Sequence, residues 1–547
     1  MWTTHEVANQ VDALVDYNLF ACDPALQNAV AAAGAAARMG ELDAIGARLG
    51  HAEVLRLGDL ANRHPPQLHT HDACGRRVDR VEYHPAWDAL MRLLYADGVH
   101  CSAWTEPGPG AHVARAAAFF LHGQVEAGSL CPATMTFAAI PLLRREPALH
   151  AALAAQLGAL DYDGRDLPAP SKRSVTVGMG LTEKQGGSDL RSVATQARRA
   201  AGGEYLLVGH KWFYSVPACD GHLVLARGDD GPACFFVPRW RPDGERNAVR
   251  IQRLKDKLGN RSNASGEVEF HDALGIPVGE PGRGIAVLIE MAAQTRLDCV
   301  LGSAALMRRA LVEALHHARH RSAFGHPLIA QPLMRNVLAD LALESEAATL
   351  LAIHLAACAD AECAGGGTAA RGRAWRRVLT PAAKFWICKR AIAFCAECME
   401  VCGGNGYVED GPMPRLLREA PVNSIWEGSG NVMCLDLLRA LAREQDAAAA
   451  LLADLADAVD GDRRWRAACE ELAATLNAGR DDAWLARRGA SRLVVLVQAA
   501  LLRRHAPAAV AAAFAASRVY RHGDHGFGAL QSADAAAPLL ERAWPPA

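Results

Sequence analysis

The chain has 547 residues, which is too long for one hydrophobic core, so we expect several domains. A composition of 51% hydrophobic and 22% charged residues excludes a disordered protein. The formal net charge of −2 excludes a chain-wide basic field, so any surface for nucleic acid must be local.

Helical patterning dominates the first 172 residues. Apolar residues at helical spacing follow Pro85, and the pattern recurs over 111–127 and 141–160. Residues 161–171 are rich in Asp, Gly and Pro, which predicts a linker. We therefore expect an N-terminal helical domain over 1–172.

Between residues 173 and 280 the apolar runs are short, β-branched and separated by Gly, Asp and Pro. A short strand is expected over 175–177, and further runs begin at Tyr205, His222, Cys234 and Val268. This spacing predicts an antiparallel β domain over 173–280. Because no helix-length segments separate the runs, a parallel α/β sheet is disfavoured.

Helical patterning then returns and continues to the end of the chain. Four long helices are predicted, over 285–319, 332–357, 380–401 and 430–442. Four helices of this length predict a four-helix bundle over 281–442. Residues 361–368 predict a flexible connection. Residues 443–547 predict a further helical domain, so the predicted fold class is α+β, mainly α.

The cysteines indicate a reduced, cytoplasmic protein, because all fifteen are scattered through apolar segments. Cys395 and Cys398 have C-x-x-C spacing, but they lie in a helical pattern without a second ligand pair. Buried packing is favoured over zinc, and no metal site is expected. We expect neither a secretory signal nor a transmembrane helix.

Five short segments have residue types that suit a bound ligand. They are the glycine-rich run 178–189 and the runs Lys211-Trp-Phe-Tyr-Ser215, Arg321-Ser-Ala-Phe-Gly325, Cys402-Gly-Gly-Asn-Gly-Tyr407 and Ser424-Ile-Trp-Glu-Gly-Ser-Gly-Asn431. Glycine admits close approach of a ligand, aromatic rings can stack on a cofactor, and Glu427 can act as a general base. Taken singly, each segment also fits an ordinary turn, core packing or a helix end.

The order and separation of these segments resemble the acyl-CoA dehydrogenase family over roughly residues 111–441. The strings 179–188, 254–265 and 421–431 are most similar to a branch of flavoproteins from the bacterial adaptive response to DNA alkylation. The resemblance implies a helical domain, a central antiparallel β-barrel and a four-helix bundle, followed in this branch by extra C-terminal helices. It also implies FAD and a homo-oligomer, usually a tetramer, that shares cofactor sites between subunits.

The resemblance also implies a flavin site. Arg321 and Phe324 match residues that reach a neighbouring subunit's cofactor, and Gly403 and Gly404 match glycines against its pyrophosphate. The remaining residues implied for FAD are Met179, Gly180, Leu181, Thr182, Gly187, Ser188, Phe213, Tyr214, Ser215, Asn423, Ile425, Trp426, Gly428, Ser429 and Asn431.

Glu427 matches the base that removes the α-proton of an acyl thioester. Some family members carry the base on an earlier helix, one position before an Arg, where this chain has Thr295 and Arg296. Threonine cannot serve as that base, so Glu427 is the implied catalytic residue. Trp426 stands where Tyr is common and would narrow the acyl channel, and the branch implies weak activity on isovaleryl-CoA.

The last 64 residues, 484–547, carry eight arginines against three acidic residues, a local excess of five positive charges. Arginine favours phosphate contacts, although a charge run is usually a solvated helix face. With the resemblance, this excess predicts non-specific binding of double-stranded DNA. The residues proposed for it are Arg487, Arg488, Arg492, Arg503, Arg504, Arg518 and Arg521.

Three functions therefore stay open from the sequence. The first is a flavoenzyme that binds DNA and protects it from alkylating agents or inactivates them. The second is a metabolic dehydrogenase of short or branched acyl-CoA without DNA binding. The third is a DNA-protective protein in which the flavin is architectural.

Overall fold

The computed structural model describes residues 3–458, 462–520 and 536–544. The chain forms two compact units. Unit 1 comprises Met1–Ala52, Gly108–Gln124 and Cys299–Ala547, and unit 2 comprises Glu53–Pro107 and Val125–Asp298. The division into four domains, with boundaries at 172, 280 and 442, stays a prediction.

Helices make up most of the described structure. In chain order they are α1 (Pro24–Ala32), α2 (Met39–Leu49), α3 (Ala52–Arg63), α4 (Pro85–Ala96), α5 (Ser102–Thr105), α6 (Ala111–Val125), α7 (Leu130–Leu143), α8 (Pro147–Leu157), α9 (Gly284–His320), α10 (Pro332–Ala364), α11 (Gly366–Val401), α12 (Gly404–Tyr407), α13 (Met413–Asn423), α14 (Gly430–Arg443), α15 (Gln445–Asp457), α16 (Arg463–Asp481), α17 (Ala486–His505), α18 (Ala508–Phe514) and α19 (Ala536–Ala543).

The strands fall into two hairpins and one larger sheet. The first hairpin is β1 (Gln67–His71) with β2 (Arg77–Glu82), and the last is β10 (Ser322–Ala323) with β11 (His326–Pro327). The sheet of unit 2 contains β3 (Val177–Gly180), β4 (Gln196–Arg199), β5 (Tyr205–Ser215), β6 (Gly221–Gly228), β7 (Gly231–Pro238), β8 (Val249–Leu254) and β9 (Ser265–Val278).

The seven-stranded sheet closes on itself. Its order is β3-β6-β4-β5-β9-β7, and a further pairing of β6 with β7 completes a ring of five strands. β3 and β8 lie outside this ring, on β6 and β9. The predicted antiparallel barrel is confirmed, except that β3 and the end of β4 run parallel to β6. Parallel neighbours need more than a hairpin turn, and the chain between β3 and β6 supplies that length.

Strand alternation decides which side chains of β5 face the barrel core. Leu207 and Tyr214 are buried in the core, whereas Val208 and Phe213 are exposed. Successive side chains of a strand point to opposite faces, so a hydrophobic run need not be buried throughout. This places the two aromatic neighbours Phe213 and Tyr214 in different environments.

Prolines mark the starts of helices α4 and α8 in the N-terminal part of the chain. The helix predicted after Pro85 is α4, and His84 Nδ1 accepts a hydrogen bond from Ala86 N at its start. The single helix expected over 141–160 is wrong, because α7 ends at Leu143 and α8 begins at Pro147, a residue favoured in a first helical turn.

Unit 1 contains the four helices predicted for a bundle, namely the later part of α9 with α10, α11 and α14. The flexible connection expected over 361–368 is wrong, because only Gly365 separates α10 from α11. Gly365 has a φ of 77°, a conformation that glycine adopts without strain and that turns the chain within one residue. α10 has the length and hydropathy of a membrane span, but 89% of its most apolar window is buried inside the protein.

The C-terminal helices belong to the compact body of unit 1. α17 has thirteen buried residues and packs against α10, α11, α14 and α16. A helix buried over this much of its length contributes to the hydrophobic core of its unit. Residues 443–520 and 536–544 are therefore integral to unit 1 where the structure describes them.

Candidate active site

Strand β3 begins at Val177, two residues later than the predicted strand, so the glycine-rich run that starts at Gly178 begins inside it. A Cβ atom on Gly178 would lie 2.3 Å from the His222 ring, and one on Gly180 would lie 2.5 Å from the Tyr214 ring. Because Gly178 and Gly180 have no side chains, the His222 and Tyr214 rings can pack directly against β3. The loop available to a ligand starts at Leu181.

This loop is tied to strand β5 by a buried ion pair. The Glu183 carboxylate accepts hydrogen bonds from Lys211 Nζ at 2.6 Å, Thr195 Oγ1 at 2.6 Å and Ala194 N at 2.7 Å. Thr182 O accepts from Trp212 N at 2.8 Å. The loop at Leu181 and Thr182 thus lies beside Trp212 and Phe213.

Electrostatics keep the Glu183 carboxyl ionised. Burial would raise its pKa, but the charge of Lys211 and the hydrogen bonds from Lys211, Thr195 and Ala194 outweigh burial and lower the pKa to about 2. Both side chains are at most 1% exposed. A buried charge persists only with such partners, so the pair fixes the loop firmly.

Phe213 presents an uncommon surface for a large apolar side chain. It is 52% exposed, and Lys255 Nζ lies 4.6 Å from its ring centre and 3.6 Å from that of Trp212. Met179, Leu181, Thr182 and Gly187 are partly exposed and Ser188 is exposed, at or near the same loop. An exposed ring on a strand that is bonded to a hydroxyl-bearing loop fits a flat heteroaromatic cofactor.

Tyr214 corrects one of the predicted cofactor contacts. Its ring stacks on His222 with centroids 3.9 Å apart, and the side chain is 1% exposed in the barrel core. It cannot contact a ligand with that ring. Ser215, one residue further, is partly exposed and remains available.

In unit 1 the predicted cofactor residues Arg321 and Phe324 lie on and beside the short hairpin of β10 and β11. Phe324 has a φ of 52° and is 95% exposed. The side chain of Asn9 bonds Ser322 through both its oxygen and its nitrogen, and Asn9 O accepts from Arg321. The hairpin is thus held so that the Phe324 ring projects from the unit.

The loop of Gly403 and Gly404 lies near that hairpin. Asn405 Nδ2 bonds Gln10 Oε1 at 3.3 Å, and Gln10 follows Asn9 directly in the chain. Gly403 has a φ of 58°, and a Cβ on either glycine would meet open space. Residues 9 and 10 therefore connect the Arg321 hairpin with this loop within unit 1, and the shared cofactor site stays a prediction.

Glu427 lies in the turn between α13 and α14, with a partly exposed side chain. Its φ is 59°, a left-handed conformation that costs energy in a residue with a Cβ and often marks functional sites. Lys384 of α11, 1% exposed in its unit, donates to Asn423 O at 3.1 Å and Gly428 O at 2.8 Å. A donor bound to carbonyls on both sides of Glu427 fixes the backbone of the turn that carries its carboxylate.

The neighbours of Glu427 complete this turn. Trp426 Nε1 donates to Asn423 Oδ1 at 3.0 Å, which sets the indole plane. Ile425, Ser429 and Asn431 are exposed, and Gly428 has a φ of 106°. The sequence did not identify Lys384, because a lysine within a helical pattern gives no indication of which distant carbonyls it binds.

Thr295, at the position of the alternative base, is buried in unit 2. Its Oγ1 donates to Ala292 O of the same helix at 3.2 Å. A threonine hydroxyl in that arrangement cannot act as a base, and the role of Glu427 stays a prediction.

Most C-terminal arginines that the structure describes bind groups of unit 1. Arg492 and Arg518 are largely buried, Arg518 bonding Asp340 at 2.5 Å and Arg492 lying 3.7 Å from Glu471. These two are poor candidates for phosphate contacts, because carboxylates already neutralise them. Arg521 lies outside the described residues.

The exposed arginines are Arg487, Arg488, Arg503 and Arg504 of α17. Arg488 pairs with Glu471 at 2.7 Å and Arg504 with Asp454 at 3.0 Å. Arg487 instead donates a hydrogen bond to Asn431, which follows the turn that contains Glu427. The local charge excess is therefore smaller at the surface than in the sequence.

A metal site is not found among the residues that the structure describes. All fifteen cysteines are free, and Cys395 and Cys398 are buried with thiol pKa values raised by desolvation. The expected packing role fits this burial. A cavity of about 70 Å³ in unit 2, lined by Tyr83, Trp87 and Tyr162 among others, contains none of the predicted site residues.

Comparison with known proteins identifies related domains along most of the chain. Family models match the adaptive response protein AidB N-terminal domain over 9–164, the acyl-CoA dehydrogenase middle domain over 178–273 and the acyl-CoA dehydrogenase C-terminal domain over 282–442. The chain is 55% identical to the putative acyl-CoA dehydrogenase AidB of Escherichia coli, over 81% of each chain. It is 31% identical to acyl-CoA dehydrogenase family member 11 of Caenorhabditis elegans, over 72% of this chain and 65% of that protein.

Solved structures share the fold. Caenorhabditis elegans ACDH-11 in complex with C11-CoA has a TM-score of 0.86 at 25% identity, covering 96% of this chain and 95% of that one. Butyryl-CoA dehydrogenase of Megasphaera elsdenii has a TM-score of 0.58 at 20% identity, over 78% of this chain and all of that one. The chain is thus an AidB homologue and belongs to the acyl-CoA dehydrogenase family of FAD-dependent oxidoreductases that act on CH–CH groups.

Proposed function

We propose that the protein oxidises acyl-CoA thioesters at the bond between the α- and β-carbons, with Glu427 as the catalytic base. The observation that carries this proposal is the rigid turn at Glu427, held in a left-handed conformation by Lys384. A fixed, partly exposed carboxylate can accept the α-proton of a substrate that is seated against it. ACDH-11, a structural neighbour, is in complex with an acyl-CoA, which supports this substrate class.

FAD, when bound, supplies the acceptor for the hydride equivalent that leaves the β-carbon. In unit 2, Thr182 and Ser188 have hydroxyls suited to its polar edge, and Phe213 has an exposed ring suited to its plane. In unit 1, Arg321, Phe324, Gly403 and Gly404 form the exposed edge proposed to hold the FAD of another subunit. We therefore propose a homotetramer, and a monomeric mass in sedimentation equilibrium would contradict that assembly.

The acyl group is proposed to be short and branched, as in isovaleryl-CoA. Trp426 is held by Asn423, so its indole cannot swing away freely to admit a long chain. Substrates that differ by methylene groups in an apolar pocket differ in kcat/KM by roughly 10- to 200-fold. We therefore expect weak turnover of isovaleryl-CoA, as the branch implies, and slower turnover of long straight chains.

Anaerobic titration of the FAD-loaded protein tests this function. Isovaleryl-CoA should bleach the flavin absorption, and undecanoyl-CoA should do so more slowly. The flavin reduced chemically by dithionite provides the full amplitude for comparison. If no acyl-CoA bleaches a flavin that dithionite reduces, the proposed reaction is wrong; if undecanoyl-CoA is faster, the assigned chain length is wrong.

A second function, binding of double-stranded DNA in the response to alkylation, is supported by the match to the adaptive response protein AidB N-terminal domain. The exposed side chains proposed for it are Arg487, Arg488, Arg503 and Arg504. Binding would rest on phosphate contacts, so it would be non-specific, and protection or inactivation of alkylating agents would occur near bound DNA. A cytoplasmic location is proposed as well, and the fifteen free cysteines support it.

Charge reversal tests DNA binding better than truncation, since α17 is part of the core of unit 1. Filter binding over a salt series should show affinity that falls steeply with salt, and Arg503→Glu should weaken binding equally for unrelated sequences. Arg466→Glu, at an exposed position of α16, is the matched control and should bind like the unsubstituted protein. Absence of binding at low salt would favour the metabolic alternative without DNA binding, and equal effects of both variants would show that Arg503 is not part of the DNA-binding surface.

A further inference from the structure

Helix α17 places an arginine directly on the catalytic turn. Arg487 Nε donates to Asn431 Oδ1 at 2.8 Å, and Asn431 is the second residue of α14, four positions after Glu427. The acyl-CoA dehydrogenase C-terminal domain match ends at residue 442. Arg487 therefore lies in the additional C-terminal helices, outside the matched domain, whereas its partner Asn431 lies inside that domain.

The guanidinium of Arg487 is confined on several sides. It lies 5.6 Å from the centre of the Phe385 ring, and a Cβ on Gly430 would come within 3.5 Å of Nη2. α17 itself cannot shift easily, because its buried face packs on α10, α11, α14 and α16, and a Cβ on Gly489 would already clash with Leu476. An arginine held in this way can fix the orientation of its partner.

The chemistry of the pair determines which end of the Asn431 amide faces Arg487. A guanidinium has donors only, so it must face the amide oxygen. The amide nitrogen of Asn431 then points away from Arg487 as a donor. Ser429 at the start of α14 makes no side-chain cap, so the exposed polar groups of this helix start remain available to a bound molecule.

We propose that Arg487 is a positioning residue for the reaction at Glu427, acting through Asn431. It orients the Asn431 amide as a donor towards the bound substrate and cofactor. The C-terminal helices would thereby be part of the dehydrogenase site in addition to any DNA surface. This inference rests on the proposed function, because it assigns a role within that same site.

Substitution of Arg487 by Met keeps the apolar stem over Phe385 and removes the donor. We expect Arg487→Met to lower kcat/KM for isovaleryl-CoA by about 10- to 100-fold, the usual effect of losing a hydrogen bond to a charged group. Asn431→Ala should have a similar effect. The double variant should be no worse than either single variant, because both remove the same contact. Arg466→Met is the matched control and should retain full kcat/KM.

The flavin provides a second measurement that does not need turnover. Arg487→Met and Asn431→Ala should shift the visible flavin spectrum, or the dissociation constant of FAD, in the same direction and without additivity. Thermal unfolding of Arg487→Met should match that of Arg466→Met, which separates positioning from a loss of fold. If wild type lacks acyl-CoA turnover, the proposed function fails, and the flavin measurements alone decide on Arg487. Additive effects of the two substitutions, or an Arg487→Met variant equal to the control, would overturn the inference.

Discussion

Glu427→Gln is expected to lower acyl-CoA turnover by about 10²- to 10⁴-fold while FAD stays bound. Glutamine keeps the size and the hydrogen-bonding oxygen of the side chain, but its amide cannot take up a proton near neutral pH. The φ of 59° at this position is fixed by the turn and by Lys384, so the backbone should be unchanged. The loss should therefore fall on kcat, with the flavin-to-protein ratio preserved.

Dye-linked turnover and the flavin absorption of one preparation measure both quantities. Glu470→Gln, an exposed glutamate of α16, removes the same charge elsewhere and should retain activity. A Glu427→Gln variant with wild-type turnover would mean that another group removes the proton. A variant without flavin would mean that Glu427 supports the cofactor site instead.

Period-two alternation explains one error in the predicted site. The motif at residues 211–215 suggested that Phe213, Tyr214 and Ser215 all contact the flavin. In a strand, adjacent side chains cannot all face one ligand, and β5 buries Tyr214 while exposing Phe213. The sequence contained enough information to exclude the Tyr214 ring once the segment was taken as a strand.

Hydrogen-bond and ion-pair partners that are far apart in the sequence could not be predicted from strand or helix periodicity. Arg518 and its partner Asp340 are 178 residues apart, and Arg487 and Asn431 are 56 apart. Counting charges over residues 484–547 gave the correct excess of positive charge in the sequence. It could not show which arginines are neutralised by carboxylates from other parts of unit 1. The same limit applies to Lys384, whose role depends on helix packing. The β domain of unit 2 and the four long helices, in contrast, follow from local periodicity and were predicted from it, whereas the closure of the sheet into a barrel was implied by the family resemblance.

Breaking the buried ion pair of Lys211 and Glu183 should strongly destabilise the protein. Lys211 Nζ donates to Glu183 Oε1 at 2.6 Å and to Leu225 O at 2.7 Å, in an interior position. Lys211→Met leaves a buried carboxylate without its cation, which costs about 3–5 kcal/mol of unfolding free energy. Because Glu183 follows Thr182 in the loop, the same variant should also release FAD more readily.

The pH dependence distinguishes this cause from simple loss of packing. In the unsubstituted protein the lowered pKa of Glu183, about 2 against 4.5, contributes stability that is present above pH 4.5 and lost as pH falls towards 2. In Lys211→Met the unpaired carboxyl has a raised pKa, so its destabilising effect decreases as pH falls towards 4.5. Denaturant unfolding should therefore show a smaller deficit at pH 5 than at pH 7.5. Adding Glu183→Gln should recover most of the loss at pH 7.5 by removing the unpaired charge; a deficit independent of pH and unchanged in the double variant would show that packing dominates.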